Sequence, residues 1–216
     1  MRLLFPPWTN RLPLYLGLAL PVVAATVVGG IWYWFSPSYT DVGYEPVQPL
    51  PFSHKLHAGE LGFDCRYCHS TVERAAHAAV PPTQTCMGCH EKLILPESIK
   101  LAPLRIAHAS NLPLPWVRVH MLPDYAFFDH SVHVAAGVGC VQCHGRVDQM
   151  AVVRQVQPLS MSWCLDCHRQ TAGRIGPVDK VTDLGYDPAS AGYEAARDRG
   201  RRRQVQPPLH CSGCHR

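Results

Sequence analysis

No cysteine of this chain lies outside one repeated motif. All ten cysteines fall within five copies of Cys-x-x-Cys-His, so none is left for a disulfide or for a cysteine nucleophile. Charge is also scarce, because charged residues make up 17% of the 216 residues and the formal net charge is only +4. Nothing in this composition argues for a nucleic-acid partner, and none is predicted.

Long segments without proline or glycine are scarce as well. The 20 prolines and 16 glycines recur so often that long helices or a regular sheet are not expected beyond the N-terminal apolar run. Such short, loop-rich segments cannot bury enough apolar surface by themselves and need a large apolar group to wrap. We therefore predict a mostly irregular fold with short helices, built around such groups.

The five Cys-x-x-Cys-His motifs predict what those groups are. Each motif is typical of covalent haem c attachment, in which two thiols bind one porphyrin edge and the adjacent histidine ligates the iron from the proximal side. The sequence therefore predicts five covalently bound haems as the core. The attaching residues are Cys65, Cys68, Cys86, Cys89, Cys140, Cys143, Cys164, Cys167, Cys211 and Cys214, and the proximal ligands are His69, His90, His144, His168 and His215.

Zinc is the alternative interpretation of the paired cysteines. The 17 residues between Cys68 and Cys86, and the 20 between Cys143 and Cys164, both suit a zinc ribbon. A zinc ribbon with four cysteine ligands, however, does not require a histidine after every second cysteine. Five copies also cannot pair into four-cysteine sites without leaving one over, so haem is favoured.

A single apolar run near the N-terminus predicts a membrane anchor. Leu14 to Phe35 is 22 residues without a charge, and as a helix it would be about 33 Å long, enough for a hydrocarbon core of about 30 Å. The aromatic residues 32–35 at its end are typical of a membrane interface. A cleaved signal peptide ending near Ala25 is the alternative, but the apolar run continues for ten more residues.

The charges on either side of this run predict its orientation. Arg2 and Arg11 precede it, whereas Asp41 and Glu45 are the first charges after it. By the positive-inside rule the N-terminus is cytoplasmic, and the chain crosses the cytoplasmic (inner) membrane once and continues on the periplasmic side. Thioether attachment of haem outside the reducing cytosol agrees with this orientation.

A duplicated motif divides the remainder of the chain. Phe52-Ser53-His54-Lys55-Leu56-His57 precedes Cys65 by seven residues, and Phe128-Asp129-His130-Ser131-Val132-His133 precedes Cys140 by six. Two histidines three residues apart on one helical turn diverge enough to reach different irons, so each pair would tie neighbouring haems together. The predicted organisation is a cytoplasmic N-terminus (1–13), an anchor (14–35), a proline-rich tether (36–51), a first haem module with two haems and a connector (52–127), and a second with three haems (128–216).

Eight further histidines compete for the distal positions on the irons. The duplicated pairs make four of them the leading candidates, and His120 is the fifth, because residues 116–120 alternate like an extended segment that delivers an imidazole inward. The predicted distal ligands are thus His54, His57, His120, His130 and His133. His77, His108 and His210 are weaker candidates, and Met161 is the one methionine whose thioether could serve instead.

Several stretches of this sequence resemble known multihaem cytochromes. Residues 52–69 and 128–145 resemble the modules of cytochromes c3 and c7, in which paired histidines precede Cys-x-x-Cys-His. With residues 80–86, 119–125 and 160–169, the chain resembles the pentahaem c-type cytochrome subunit of bacterial alternative complex III, most specifically between residues 52 and 169.

This resemblance implies a role and a set of partners. The subunit would relay electrons from quinol oxidation, in a respiratory or photosynthetic quinol:acceptor oxidoreductase, to a downstream c-type cytochrome or other carrier, without being catalytic alone. Its implied partners are integral-membrane quinol-oxidising subunits, an iron–sulfur subunit, a monohaem cytochrome c subunit and the lipid bilayer.

Two features leave the function open. A membrane quinol dehydrogenase of the NapC/NrfH type is the alternative, because it also combines an N-terminal helix with several c-type haems, and Met87 or Asp64 would then serve at a weakly held iron. The basic run from Arg197 to Arg203 matches nothing in the resemblance. It is either a solvated loop or a docking site for an acidic partner or anionic headgroups.

Overall fold

The computed structural model of the protein describes residues 5–191, 198 and 205–216. It divides into a small N-terminal unit that ends at Asp41 and a larger unit that begins at Val42. Every regular element among the described residues is a helix, and β-structure there is limited to two isolated bridges, Ala126 with His215 and Val138 with Ile175. The predicted fold class, mostly irregular with short helices, is confirmed.

The N-terminal unit is built around one long apolar helix, α1 (Leu12–Trp34), which begins two residues before the predicted anchor and ends one residue before its end. A 3₁₀ turn (Pro7–Arg11) precedes α1, and the short helix α2 (Pro37–Thr40) follows it. The 23 residues of α1 are about 35 Å long, which fits a single-pass membrane anchor.

The polar groups of this helix are compatible with lipid. The Thr26 hydroxyl donates a hydrogen bond to the carbonyl of Val22 at 2.9 Å, so no free hydroxyl hydrogen faces the surroundings there. At the end of the helix Tyr33, Trp34 and Tyr39 form an aromatic cluster, with ring centroids 4.4 to 5.8 Å apart. Such a cluster is typical of the level of the lipid headgroups.

The larger unit contains only short helices. Its α-helices are α3 (Cys65–Cys68), α4 (Thr83–His90), α5 (Ala102–Ala109), α6 (His130–Ala136), α7 (Val141–His144) and α8 (Met161–Arg169). One π-helical turn covers Lys55–Glu60, and 3₁₀ turns cover Ile99–Leu101, Val147–Gln149, Val178–Lys180, Pro188–Ala191 and Cys211–Gly213. The frequent prolines and glycines account for these lengths.

The segment predicted as a tether (36–51) is bound to the larger unit over its second half. The backbone of Gly43 and Tyr44 exchanges two hydrogen bonds with Gln155, at 2.7 and 3.0 Å. The side-chain amide of Gln48 makes two more with the backbone of Val117, each at 2.9 Å. Leu50, at the end of this segment, is only 4% exposed, so residues 42–50 belong to the body of the unit.

Side chains alone give the larger unit a small apolar interior. Nine apolar residues are buried in the described part of the chain, and one cluster of them joins Leu50, Met87, Leu104 and Leu114. A unit of this size normally buries a much larger share of its apolar residues. Large apolar groups must therefore complete the interior, as the attachment motifs predict.

The two predicted haem modules are in direct contact through their backbones. The π-helical turn of the first module lies against the turn Val147–Gln149 of the second, and the amide of Lys55 donates to the carbonyl of Met150 at 2.9 Å. At the closest point, a Cβ atom on Gly59 would overlap the carbonyl oxygen of Asp148. Only glycine permits this approach of two backbones.

Replacing Gly59 by alanine should therefore loosen the contact between the modules. We expect Gly59→Ala to lower the free energy of unfolding by about 1 to 3 kcal/mol, because the backbones must separate to admit the methyl group. Chemical denaturation of the haem-loaded protein, followed by haem absorbance, measures the change. Gly185→Ala is the matched control, because the nearest atom to its Cβ position is an Asp183 carboxylate oxygen at the ordinary contact distance of 3.5 Å. Equal stability of the two variants would contradict the prediction.

Candidate haem centres

Each Cys-x-x-Cys-His motif forms a single tight turn. In three motifs the amide of the histidine donates to the carbonyl of the first cysteine, at 2.9 to 3.0 Å, in the segments 65–69, 140–144 and 211–215. Local caps begin two of the attachment helices. The Asp64 carboxylate accepts from the amide of Arg66 at 2.8 Å, and the Ser160 hydroxyl accepts from the amide of Trp163 at 3.4 Å. This turn brings the two thiols and the imidazole of each motif close together.

Four of the five predicted proximal histidines are oriented by backbone carbonyl groups. The acceptors are the carbonyl oxygens of Ala79 for His69 (2.8 Å), Ile94 for His90 (2.9 Å), Pro208 for His168 (2.9 Å) and Tyr125 for His215 (3.1 Å). A carbonyl can only accept, so in each case Nδ1 carries the proton. Nε2 then keeps its lone pair, which is the state of an imidazole that binds a metal.

Three of the predicted distal histidines are held in the same way. The Nδ1 atoms of His57, His130 and His133 donate to the carbonyl oxygens of Ser53, Ala76 and Asp129, at 2.9, 2.8 and 2.7 Å. Seven of the ten predicted ligands therefore present Nε2. The backbone acceptors have no signature in the sequence, so the sequence analysis did not identify them.

The two copies of the duplicated motif have nearly the same geometry. In the first, the ring of Phe52 lies 4.8 Å from that of His54 and 4.4 Å from that of His57. In the second, Phe128 lies 4.8 Å from His130 and 4.4 Å from His133. The phenylalanine ring supports both imidazoles, which is a role that the sequence comparison of the repeats did not assign.

Burial favours the neutral form of several of these imidazoles. Nδ1 of His54 and Nε2 of His120 are buried without a hydrogen-bond partner, which costs free energy unless another group satisfies them. Burial also lowers the pKa of His54 to about 4 and that of His144 to about 3, and it lowers the pKa of His120 and His133. Neutral imidazole is the form that ligates a metal.

The distances between imidazole rings fit iron ligated on two opposite sides. Two imidazoles on opposite sides of one metal ion, each with a metal–nitrogen bond of about 2 Å, have ring centroids roughly 6 Å apart. In a tetrahedral zinc site the same bonds place the centroids roughly 5 Å apart. Three distal–proximal pairs lie at 6.1 to 6.3 Å: His57 with His90, His130 with His144, and His133 with His168.

Each duplicated histidine pair thus faces two different attachment motifs. His130 lies opposite His144 of the nearer motif, and His133 lies opposite His168 of the next one. In the first module His57 lies opposite His90, and His54 interacts electrostatically with His69. The residues therefore fit a haem at each of these four motifs.

His120 occupies a different position. Its ring lies 4.4 Å from that of His144, nearly perpendicular to it, and this distance is too short for ligands on opposite sides of one iron. The structure does not bring His120 to the ring of His215. Its role as a distal ligand stays a prediction.

The weaker candidates lie elsewhere. His77 and His210 are exposed, and Nδ1 of His108 lies 3.4 Å from the Thr83 hydroxyl. Met161 is 64% exposed. The basic run from Arg197 to Arg203 lies, apart from Asp198, outside the described residues.

Electrostatic interactions between cysteines indicate that the five predicted attachment sites follow one another in a row. Cys65 and Cys140 lie beside each other and interact electrostatically. Electrostatic interactions join Cys68 to Cys86, Cys143 to both Cys164 and Cys167, and Cys164 to Cys214. The order of the sites is therefore 86/89, 65/68, 140/143, 164/167 and 211/214, which differs from their order in the chain. No local pattern in the sequence reveals this order.

Comparison with known proteins agrees with the chemistry of these sites. Residues 126–216 match the family described as cytochrome c7 and related cytochrome c. A relative from Nitratidesulfovibrio vulgaris strain Hildenborough, named "Menaquinone reductase, multiheme cytochrome c subunit", is 31% identical over 131 residues. The match covers 59% of this chain and 60% of the relative. Residues 126–216 therefore resemble a cytochrome c7-type domain, a type of domain that binds haem c covalently.

Proposed function

We propose that the protein is the membrane-anchored electron relay of a quinol:acceptor oxidoreductase complex, with five covalently bound haems. The row of predicted attachment sites carries this proposal, because the cysteines of each site interact electrostatically with those of the next. Haem supplies the one-electron chemistry, and this chain supplies attachment, axial ligands and spacing. The two ends of the row, at 86/89 and 211/214, would be where electrons enter and leave.

We further propose the axial ligands of four haems. They are the histidine pairs His54 with His69, His57 with His90, His130 with His144, and His133 with His168. Support comes from the ring distances of 6.1 to 6.3 Å for three pairs and from the electrostatic contact of the fourth. Bis-histidine ligation favours lower reduction potentials than histidine–methionine ligation, which suits exchange of electrons with a quinone pool.

Quinol chemistry itself would take place in a partner subunit. The anchor offers no carboxylate or histidine to accept the quinol protons. Met87 and Asp64, the side chains considered for a NapC/NrfH-type site, already have other partners. Met87 is buried in the apolar cluster, and the Asp64 carboxylate accepts hydrogen bonds from Arg66 and Thr182. These observations favour the relay over the membrane quinol dehydrogenase.

The complex we propose is alternative complex III or a close relative of it. Its partners would be integral-membrane quinol-oxidising subunits, an iron–sulfur subunit and a monohaem cytochrome c. The name of the relative describes menaquinone reduction, the opposite direction of electron flow. A row of haems conducts either way, and the potentials of its partners set the direction. We propose flow from quinol to a c-type carrier on the periplasmic side, as Arg11 before the anchor and Asp41 after it favour.

Removal of one paired distal histidine should change the spin state of one haem. We expect His133→Ala to add one high-spin haem to the electron paramagnetic resonance spectrum of the loaded protein, because His168 then loses the imidazole that lies opposite it at 6.1 Å. His77→Ala is the control and should leave the spectrum unchanged, since His77 is exposed. A new high-spin signal from His77→Ala alone would refute the ligand assignment.

Quinol should reduce these haems only in the presence of the partner subunits. The isolated chain should accept electrons from dithionite and pass them to a c-type cytochrome, but a menaquinol analogue should not reduce it. In the intact complex the same analogue should reduce the same haems. Stopped-flow absorbance measures both reactions, and rapid reduction of the isolated chain by the analogue would show that it contains its own quinol site.

A further inference from the structure

We infer that the C-terminal haem site, attached at Cys211 and Cys214 with His215 as proximal ligand, has no histidine on its second axial position and binds small exogenous iron ligands there. Carbon monoxide is the ligand for the ferrous form and cyanide for the ferric form. The inference rests on the proposed function only in requiring that all five haems are attached.

The first observation is the surroundings of the His215 ring. Three other proximal histidines have an imidazole opposite them at 6.1 to 6.3 Å, and His69 interacts with His54. The aromatic ring beside His215 is instead Tyr125, at 5.8 Å, and the backbone carbonyl of Tyr125 also holds Nδ1 of His215. Among the described residues, which include all thirteen histidines, no imidazole forms a ring pair with His215.

The second observation is that the histidines without an assigned iron lie away from the C-terminal motif. His120 is buried against His144 and interacts with His130. His108 lies beside Thr83 at the start of α4, and the carbonyl of His77 accepts from Thr71, next to the first attachment motif. None of these positions is at the C-terminal motif.

His210 is close to the C-terminal motif, but it lies on the same turn that attaches the haem. It directly precedes Cys211, and its Nε2 lies 3.5 Å from the Cβ position of Gly213. An imidazole folded over this turn is on the same segment as His215. It is therefore poorly placed to reach the opposite side of the porphyrin.

The third observation is that the site is ordered and open to solvent. The amide of Phe127 donates to the carbonyl of Cys214 at 2.6 Å, and the guanidinium of Arg216 lies 4.0 Å from the centre of the Phe127 ring. Cys211 is exposed, whereas the other nine cysteines are partly buried. The site also ends the row, so a small ligand can approach it from solvent.

The experiment uses the full-length protein in detergent with all five haems attached. After reduction with dithionite, titration with carbon monoxide should give an absorbance change that corresponds to one haem per chain. His133→Ala should bind a second carbon monoxide, because it opens the site of His168. His77→Ala is the matched control and should still bind one.

Two variants assign the ligand to the C-terminal site. Replacing Cys211 and Cys214 together by serine removes this haem and should abolish carbon monoxide binding, while His120→Ala should leave it at one per chain. Persistent binding in the serine variant would overturn the inference, because the open haem would then be elsewhere.

A wild-type protein that binds no carbon monoxide would overturn it as well. His120→Ala then identifies what closes the site, since gain of one carbon monoxide would assign His120 and no gain would point to another side chain. The outcome is separable from the proposed function, because quinol reduction of the intact complex is measured without carbon monoxide.

Discussion

The hydrogen bond from an imidazole Nδ1 to a backbone carbonyl is the interaction on which the haem sites depend. It fixes the tautomer and the orientation of seven histidines, so that each presents Nε2. A free histidine side chain would lose rotational entropy on binding iron, whereas one held in advance has already lost most of it. The carbonyls come from loops, and therefore the loops of this fold serve as the scaffold of its sites.

The small apolar interior follows from the same arrangement. Few side chains are buried in the described part of the chain, because the segments between the attachment turns are short and loop-rich. Contacts such as that between Gly59 and Asp148 then bring the backbone segments close together. Cofactor attachment would then be coupled to the folding of this unit.

The sequence predicts the local structure of this protein better than its long-range arrangement. The attachment motifs, the duplicated histidine pairs and the anchor are local patterns, and the helix Leu12–Trp34 differs from the predicted span by only one or two residues. The partner of His130 is a carbonyl 54 residues away, and that of His215 is 90 residues away. Backbone acceptors carry no side-chain signature, and the position of His120 beside His144 depends on packing that no single segment encodes.

The contact between His130 and Ala76 bears on how the protein is made. Both the amide and Nδ1 of His130 donate to this one carbonyl of the first module, at 3.1 and 2.8 Å. During synthesis the first module precedes the second, so Ala76 is made before His130. The carbonyl of Pro208, which accepts from Nδ1 of His168, is made 40 residues after that histidine. Maturation from the N-terminus to the C-terminus would therefore orient His130 at once, whereas His168 would be oriented only when Pro208 follows.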